Sequence, residues 1–449
     1  MYTTTVGKTF LKEYNERLQT HYTAKTFFEE VFVPLFFDHQ KYMMTGGNSP
    51  LENPKIRGLH DMIKGNIPFE TAIKRKKRID DMIHKVDHQR ADMSIAIGYK
   101  AAEKESATSC QVTSLDLPND ADSSYLSWIG AALGITVFGN ITILFNEPDL
   151  LWKIFEGWKY YRKYIEDIPL LKGNQINVWN GQWIVHRYKF SFDEDDPTAG
   201  LGLLDNASEG DIMNISTVTW VKVLLAVANR FSGSTLVGYL YNIGQKNTTL
   251  GFIPFNLEDL TRPNKLYQKI FGEDIFKQDV KAIEELYGTA FGIRTACQYG
   301  SIGVRALEPK GLKSFIPEVA QPKAKYIIYK ENDNTQRITF NTYLIWILAM
   351  LNNEQLWDKS KQFAETFKKY ACSDIDARTK NSRQITNALS SKKRDQFINN
   401  LAIILDDCDD DLNESLIEIA QTVALISIEN FSYFLTLIRF QYTAISKTI

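Results

Sequence analysis

The sequence predicts an α+β chain, with an irregular mixed α/β domain over 1–338 and an all-α helical bundle over 339–449. Three observations lead there. From about 110 to 335, strand-like runs at 135–145, 183–192 and 326–330 are interleaved with helix-like runs at 150–167, 212–230 and 280–287. They do not alternate cleanly enough for a βαβ series. Proline is then absent after Pro322 and glycine after Gly311, while apolar residues recur at helical period through 343–356, 363–370, 385–389, 397–405 and 416–442. That predicts four or five antiparallel helices. Finally, 449 residues at 44% hydrophobic content are enough for two to three cored domains.

Composition narrows the compartment and the partners. The net charge of −2 gives no global basic field, so any polyanion must be held by local patches. Cys110, Cys297, Cys372 and Cys408 form no CxxC pair. This argues for a reducing, cytoplasmic setting and against a disulfide framework or a cysteine-built zinc site. The polar N-terminus has no apolar signal-peptide core. The uncharged run 128–145 is long enough to suggest a membrane span, but Gly130, Gly134, Gly139 and the β-branched Ile-Thr-Ile suit a helix end, a turn and a strand better.

In chain order, 8–40 reads as helix, with Phe10, Tyr14, Leu18, Phe27, Phe28, Val31 and Phe32 at helical spacing. The stretch 43–54, rich in glycine, proline and asparagine, reads as a loop whose small residues would let backbone approach a ligand. Residues 67–92 read as helix and contain Lys74, Arg75, Lys76, Lys77 and Arg78. Five adjacent cations repel one another, a repulsion that phosphates would relieve. His84 and His88 lie four apart, without the glutamate of a zincin motif, so no metal is assigned. Residues 149–164 read as one aromatic-rich amphipathic helix, and 193–196 as a solvated acidic loop. Arg230, Lys246 and Arg294 sit in or beside short polar turns.

Residues 173–188 mix amides, aromatics and glycines more densely than any other stretch. The run from Trp183 predicts a strand, and Asn177 to Gly181 the turn before it. Asn174, Gln175, Asn177 and Gln182 can donate and accept hydrogen bonds, and Arg187 offers a planar cation. They are expected to face a ligand, with at least one of Trp179 and Trp183 facing inward. The competing reading is that buried amides only satisfy backbone groups.

The bundle is polarised in charge. From 359 to 394 there are 10 basic and 3 acidic residues, a local +7; from 395 to 429 there are 9 acidic and none basic. Lys392, Lys393 and Arg394 fall at an expected helix start, where free N–H groups also favour phosphate. Alternatively the two flanks face each other. The sequence holds no GxSxG, HExxH, Walker pair or cysteine–histidine signature.

Several strings taken together resemble a known family. Phe36-Phe-Asp-His39, the Asn48-Ser-Pro50 loop, Tyr125-Leu-Ser-Trp-Ile-Gly-Ala-Ala-Leu-Gly134, Phe155-Glu-Gly-Trp158, Trp179-Asn-Gly-Gln-Trp183 and Phe434-Leu-Thr-Leu-Ile-Arg-Phe-Gln-Tyr442 are similar to the large subunit of type I CRISPR effector complexes (Cascade), nearest the type I-B kind. The likeness covers most of the chain. It implies a non-catalytic, cytoplasmic subunit whose C-terminal bundle is related to the small subunit. Such a subunit holds the 5′ handle of the guide RNA, reads the PAM in double-stranded target DNA, stabilises the R-loop, contacts other Cascade subunits and helps recruit a helicase-nuclease or a transposition targeting factor. Under that likeness, Asn48, Ser49, Asn174, Gln175, Asn177 and Gln182 are candidates for base edges. Lys74, Arg75, Lys76, Lys77, Arg78, Arg187, Arg230, Lys246, Arg294, Lys392, Lys393 and Arg394 are candidates for phosphates. Relatives with paired CxxC motifs bind zinc; this chain lacks them, so no cofactor and no metal are expected. Alternatives are a metal-dependent nuclease built on Asp193 to Asp196 and a helical protein–protein scaffold.

Overall fold

The computed structural model describes residues 2–46, 49–51, 56–88, 120–139, 141–189, 191–202, 211–231, 233, 235–242, 248–288, 290–318, 324–327, 330, 332–374, 376–408 and 410–446. The fold is α+β, with one small antiparallel sheet in the N-terminal part and helices throughout the C-terminal part. The chain forms two compact units, Met1–Leu257 and Glu258–Ile449.

The first unit begins with α1 (Tyr2–Leu18), α2 (Ala24–Phe27), a π-helical turn (Phe28–Phe32) and α3 (Val33–Phe36). The single helix expected over 8–40 is thus broken. Gln19 takes a left-handed φ of 54°, and Thr23 caps α2 in a capping box with Thr26. Next come α4 (Ile56–Ile63), α5 (Ala72–His88) and α6 (Ala121–Ala132). Helices α1 and α6 meet at backbone distance, because a Cβ on Gly7 would collide with the Leu126 carbonyl and one on Gly130 with the Thr3 carbonyl. The Thr3 and Ser127 hydroxyls pair at 2.8 Å across this contact.

The run 128–145 becomes the end of α6 followed by β1 (Ile135–Phe138) and β2 (Ile141–Phe145). Among the described residues no helix is long and apolar enough to cross a membrane. The expected helix over 149–164 splits at Gly157 into α7 (Pro148–Glu156) and α8 (Trp158–Asp167). Then come α9 (Ile176–Arg187), α10 (Trp220–Arg230), β3 (Thr235–Asn242) and β4 (Thr248–Asn256). The sheet order is β1-β2-β3-β4, with Thr142 opposite Tyr241 and Tyr239 opposite Phe252.

In the second unit, α11 (Leu257–Phe271), α12 (Glu273–Tyr287) and α13 (Ile293–Cys297) precede two short 3-10 turns, Val304–Leu307 and Leu312–Phe315. Six helices follow: α14 (Asn334–Leu351), α15 (Gln355–Cys372), α16 (Arg378–Leu389), α17 (Arg394–Asp407), α18 (Asp410–Leu425) and α19 (Ile428–Ser446). The change in composition near 339 lies inside this unit. Arg337 at the start of α14 holds the buried Asp279 of α12 through two bonds of 3.0 Å, and Tyr267 of α11 donates to the same carboxylate at 2.7 Å. Residues 258–338 are therefore tied to the bundle.

The strand expected at 326–330 is not found among its described residues. Its approach is bound elsewhere: the buried Arg439 of α19 donates to the carbonyls of Phe315, Ala324 and Lys325 at 2.8, 3.3 and 3.0 Å, and stacks over Tyr326 at 4.4 Å. A guanidinium buried without a carboxylate must find carbonyls, and these are the ones within reach.

Candidate nucleic-acid interface

The amide-rich stretch is a helix, α9, not a turn and a strand. Ile176, Trp179, Asn180, Trp183 and Ile184 share one buried face at helical spacing. The C-terminus of α6 explains why asparagines occupy it. A helix end leaves carbonyls without partners, and here two side-chain amides supply them. Asn177 Nδ2 donates to Ala131 O and Gly134 O at 2.8 and 3.0 Å; Asn180 Nδ2 donates to Ala132 O and Gly134 O at 2.8 Å each. Asn180 Oδ1 accepts Trp158 Nε1 at 3.3 Å, so both ends of that amide are engaged.

Other members of the stretch are also bound internally. Gln175 Oε1 accepts the Ile215 N–H at 3.3 Å, and Gln182 Nε2 donates to Ser216 O at 2.8 Å. Asn174 Oδ1 is buried with no hydrogen-bond partner. Trp179 and Trp183 both face inward, donating to Gly157 O at 3.0 Å and Lys153 O at 2.7 Å. Arg187 lies over Phe192 at 4.2 Å and pairs with Glu194 at 2.7 Å. The expectation that Gln175, Asn177 and Gln182 face a ligand is corrected here, because these amides are taken up by the Ile215 N–H, by the carbonyls of Ala131 and Gly134 and by that of Ser216.

What α9 supports is the loop expected at 43–54. Ile176 N–H donates to Met43 O at 3.1 Å, and Met43 N–H to Phe36 O at 3.0 Å. Two cations hold this entry. Arg162 of α8 donates to the carbonyls of Leu35, Lys41 and Phe36 at 3.0, 3.0 and 3.4 Å. Lys41 Nζ donates to Ile168 O, Pro169 O and Leu171 O at 3.0, 3.1 and 3.1 Å, closing the end of α8. Burial, with the two cations repelling, lowers Lys41 to about 8; burial lowers Arg162 to about 10. Neither residue carried a sequence signal beyond its place in a helix or loop.

The basic run stands beside this loop and divides into two functions. Arg75 Nε donates to Asp38 Oδ1 at 3.0 Å. Arg78 donates to Glu70 Oε2 at 2.9 Å and to Pro50 O at 3.3 Å. Glu70 also accepts the Tyr42 hydroxyl at 2.6 Å; burial first, and this carboxylate second, push that phenol's pKa up. Arg75 and Arg78 thus fasten the loop. Lys74, Lys76 and Lys77 are exposed, and Lys76 pairs with Asp80 at 3.6 Å, with both ends in solvent. The C-terminal end of α5 is anchored by Asp87, which accepts from Lys25 at 2.6 Å and Tyr125 at 2.8 Å. His84 and His88 stack at 4.2 Å.

Ser49 is buried, its Oγ accepting the Leu51 N–H at 3.2 Å. It therefore shapes the loop rather than offering a free hydroxyl, which corrects its expected place at a base edge. Asn48 and Lys246 lie outside the described residues. Arg230 is exposed at the end of α10 and Arg294 is exposed within α13.

In the bundle the two charged flanks meet. Lys359 pairs with Glu418 at 3.4 Å, and Lys380 with Asp407 at 2.9 Å. Arg394 is turned inward, donating to Ala424 O and Ile426 O at 3.1 and 3.2 Å, which corrects its expected role at a phosphate. Lys393 is exposed and Lys392 half-buried. The acidic loop is a set of local turns. Asp193 Oδ1 accepts the Asp195 N–H at 2.9 Å, and Asp196 Oδ1 accepts the Thr198 hydroxyl at 3.1 Å. Among the described residues no group of three or more His, Cys, Asp or Glu is placed to hold a metal ion.

What remains is the described part of the loop, 43–46 and 49–51, fastened beside three solvent-facing lysines, an arrangement that can hold phosphates. No protein-family model matches this chain, and neither a curated protein nor a solved structure matches it.

Proposed function

We propose that this chain is a non-catalytic nucleic-acid-binding protein, and specifically the large subunit of a type I RNA-guided surveillance complex. In that role it would contact the PAM-proximal duplex through loop 43–54 and α5, and hold the 5′ handle of the guide RNA. The observation that carries the reading is the division of the basic run. Arg75 and Arg78 bond to the loop base while Lys74, Lys76 and Lys77 reach solvent beside it. Like charges crowded on a helix are unfavourable unless a polyanion neutralises them. Sequence discrimination beyond the PAM would rest on guide pairing, so the subunit needs no extended code. The likeness of strings described above supplies the assignment to this class of complex.

The test reconstitutes the chain with guide RNA and backbone subunits and measures binding to duplexes with and without the PAM across a salt series. Affinity is expected to fall steeply with salt. Lys74→Glu, Lys76→Glu and Lys77→Glu together should weaken all duplexes alike and lower the log–log salt slope by about three. Binding indifferent to salt and to these changes overturns the reading. Metal-dependent cleavage of DNA or RNA lost in Asp195→Ala would replace it with a nuclease.

A further inference from the structure

The α17–α18 hairpin is an acidic surface with an apolar centre. Between 394 and 429 the only cation is Arg394, and it is turned into the hairpin, bonded to the carbonyls of Ala424 and Ile426. Two carboxylates are neutralised within the bundle, Asp407 by Lys380 and Glu418 by Lys359. Asp395, Asp406, Asp411, Glu414 and Glu429 are exposed.

Among these carboxylates lie large apolar side chains in water: Ile403 is 51% exposed, Ile417 45%, Leu425 88% and Ile428 78%. On α18, Glu414, Ile417, Gln421 and Leu425 follow at spacings of three and four, one stripe of the outer face. On α17, Asp395, Asn399, Ile403 and Asp406 make a second. An exposed apolar surface bordered by these carboxylates, with the exposed Lys393 just before α17, marks an interaction site.

The charge selects the occupant. Phosphate is repelled, so nucleic acid is disfavoured. A second copy would bring two acidic faces together. A helix with leucine or isoleucine along one side and lysine or arginine flanking it satisfies both parts, laid along the antiparallel pair in the helix-in-groove manner. We propose that the outer face of the α17–α18 hairpin docks a basic amphipathic helix of a partner protein. The inference stands whether or not loop 43–54 binds nucleic acid.

The probe is a fluorescein-labelled Leu/Lys amphipathic peptide of about 18 residues, long enough to form a helix. It is titrated with the full chain by anisotropy at about 0.15 M salt. Two controls accompany it: the same composition scrambled so that no apolar face forms, and a Leu/Glu version. Saturable binding of the Leu/Lys helix alone is expected. It should weaken at least about tenfold in Ile417→Lys/Leu425→Lys and, separately, in Asp406→Asn/Glu414→Gln, which leaves the apolar stripe intact. Because these positions are exposed, the thermal midpoint should hold and report folding. Equal binding to either set of variants, or of the scrambled peptide, overturns the proposal. So does sedimentation showing a dimer that Ile417→Lys/Leu425→Lys dissolves, or DNA binding that competes with the peptide on this face.

Discussion

Residues 173–188 and 74–78 look alike as text, each a dense run of hydrogen-bonding groups, yet the fold uses them in opposite ways. Asn177 and Asn180 of α9 point to the carbonyls of Ala131, Ala132 and Gly134, whereas three of the five cations of the run 74–78 stay in water. The difference is one of desolvation. A neutral amide loses little on burial if both its ends are paired, and a helix terminus offers the pairing. A cation costs far more to bury, so the fold keeps it outside unless carboxylates or several carbonyls surround it. Arg75 and Arg78 meet that condition through Asp38, Glu70 and Pro50.

The largest effect that sharpens this contrast is expected at Asn180. Asn180→Leu leaves Ala132 O, Gly134 O and Trp158 Nε1 without their partner in the core. Denaturant unfolding should show a loss of about 3 kcal/mol. A stability within experimental error of the wild type would mean that the amide is not needed as a cap.

A smaller effect separates the two halves of the basic run. Arg78→Gln removes a charge-assisted bond to the nearly buried Glu70, for an expected loss of about 1.5 kcal/mol. Lys74→Gln/Lys77→Gln should stay within about 0.5 kcal/mol of the wild type. Hydrogen exchange over 43–51 should quicken in the first variant and not in the second. Equal effects would erase the distinction between fastening and solvent-facing cations.

The smallest effect is a pH dependence. Lys41 titrates near 8 in the folded chain against an ordinary 10.5, because burial disfavours its charge. Above pH 8 the unfolded chain binds more protons at this site than the folded one, so this group's contribution to stability rises with pH until about 10.5. Lys41→Arg, which does not titrate in this range, should lack that rise. Measured midpoints that run parallel in the two proteins from pH 8 to 10.5 would refute the assignment.

Much of this was legible in the chain. The α+β class, the helical character of the C-terminal part, the break of 128–145 into helix end and strands, and the basic helix follow from period and from glycine and proline placement; the run 416–442, read as one helix, is split between α18 and α19. The failures have common physical causes. In α9 the period was present in Ile176, Trp179, Trp183 and Ile184, but asparagines on the same face suggested a turn. The single helix expected over 8–40 ends because Asn15 turns back, its amide donating to Tyr22 O at 2.9 Å and its oxygen accepting from Thr20 at 2.9 Å. The charge segregation of the bundle was legible too, but not that Lys359 and Lys380 are matched within the bundle by Glu418 and Asp407.

By itself, the sequence determined where helices and strands can form and which groups must remain charged, since backbone period and desolvation cost belong to residues and their neighbours. Tertiary structure decided who answers whom. Which carbonyls Asn180, Arg162 and Arg439 satisfy depends on elements tens to more than a hundred residues away. A hydrogen-bonding group announces in the sequence that it needs a partner, but only the packed fold determines whether that partner is a backbone carbonyl or a ligand.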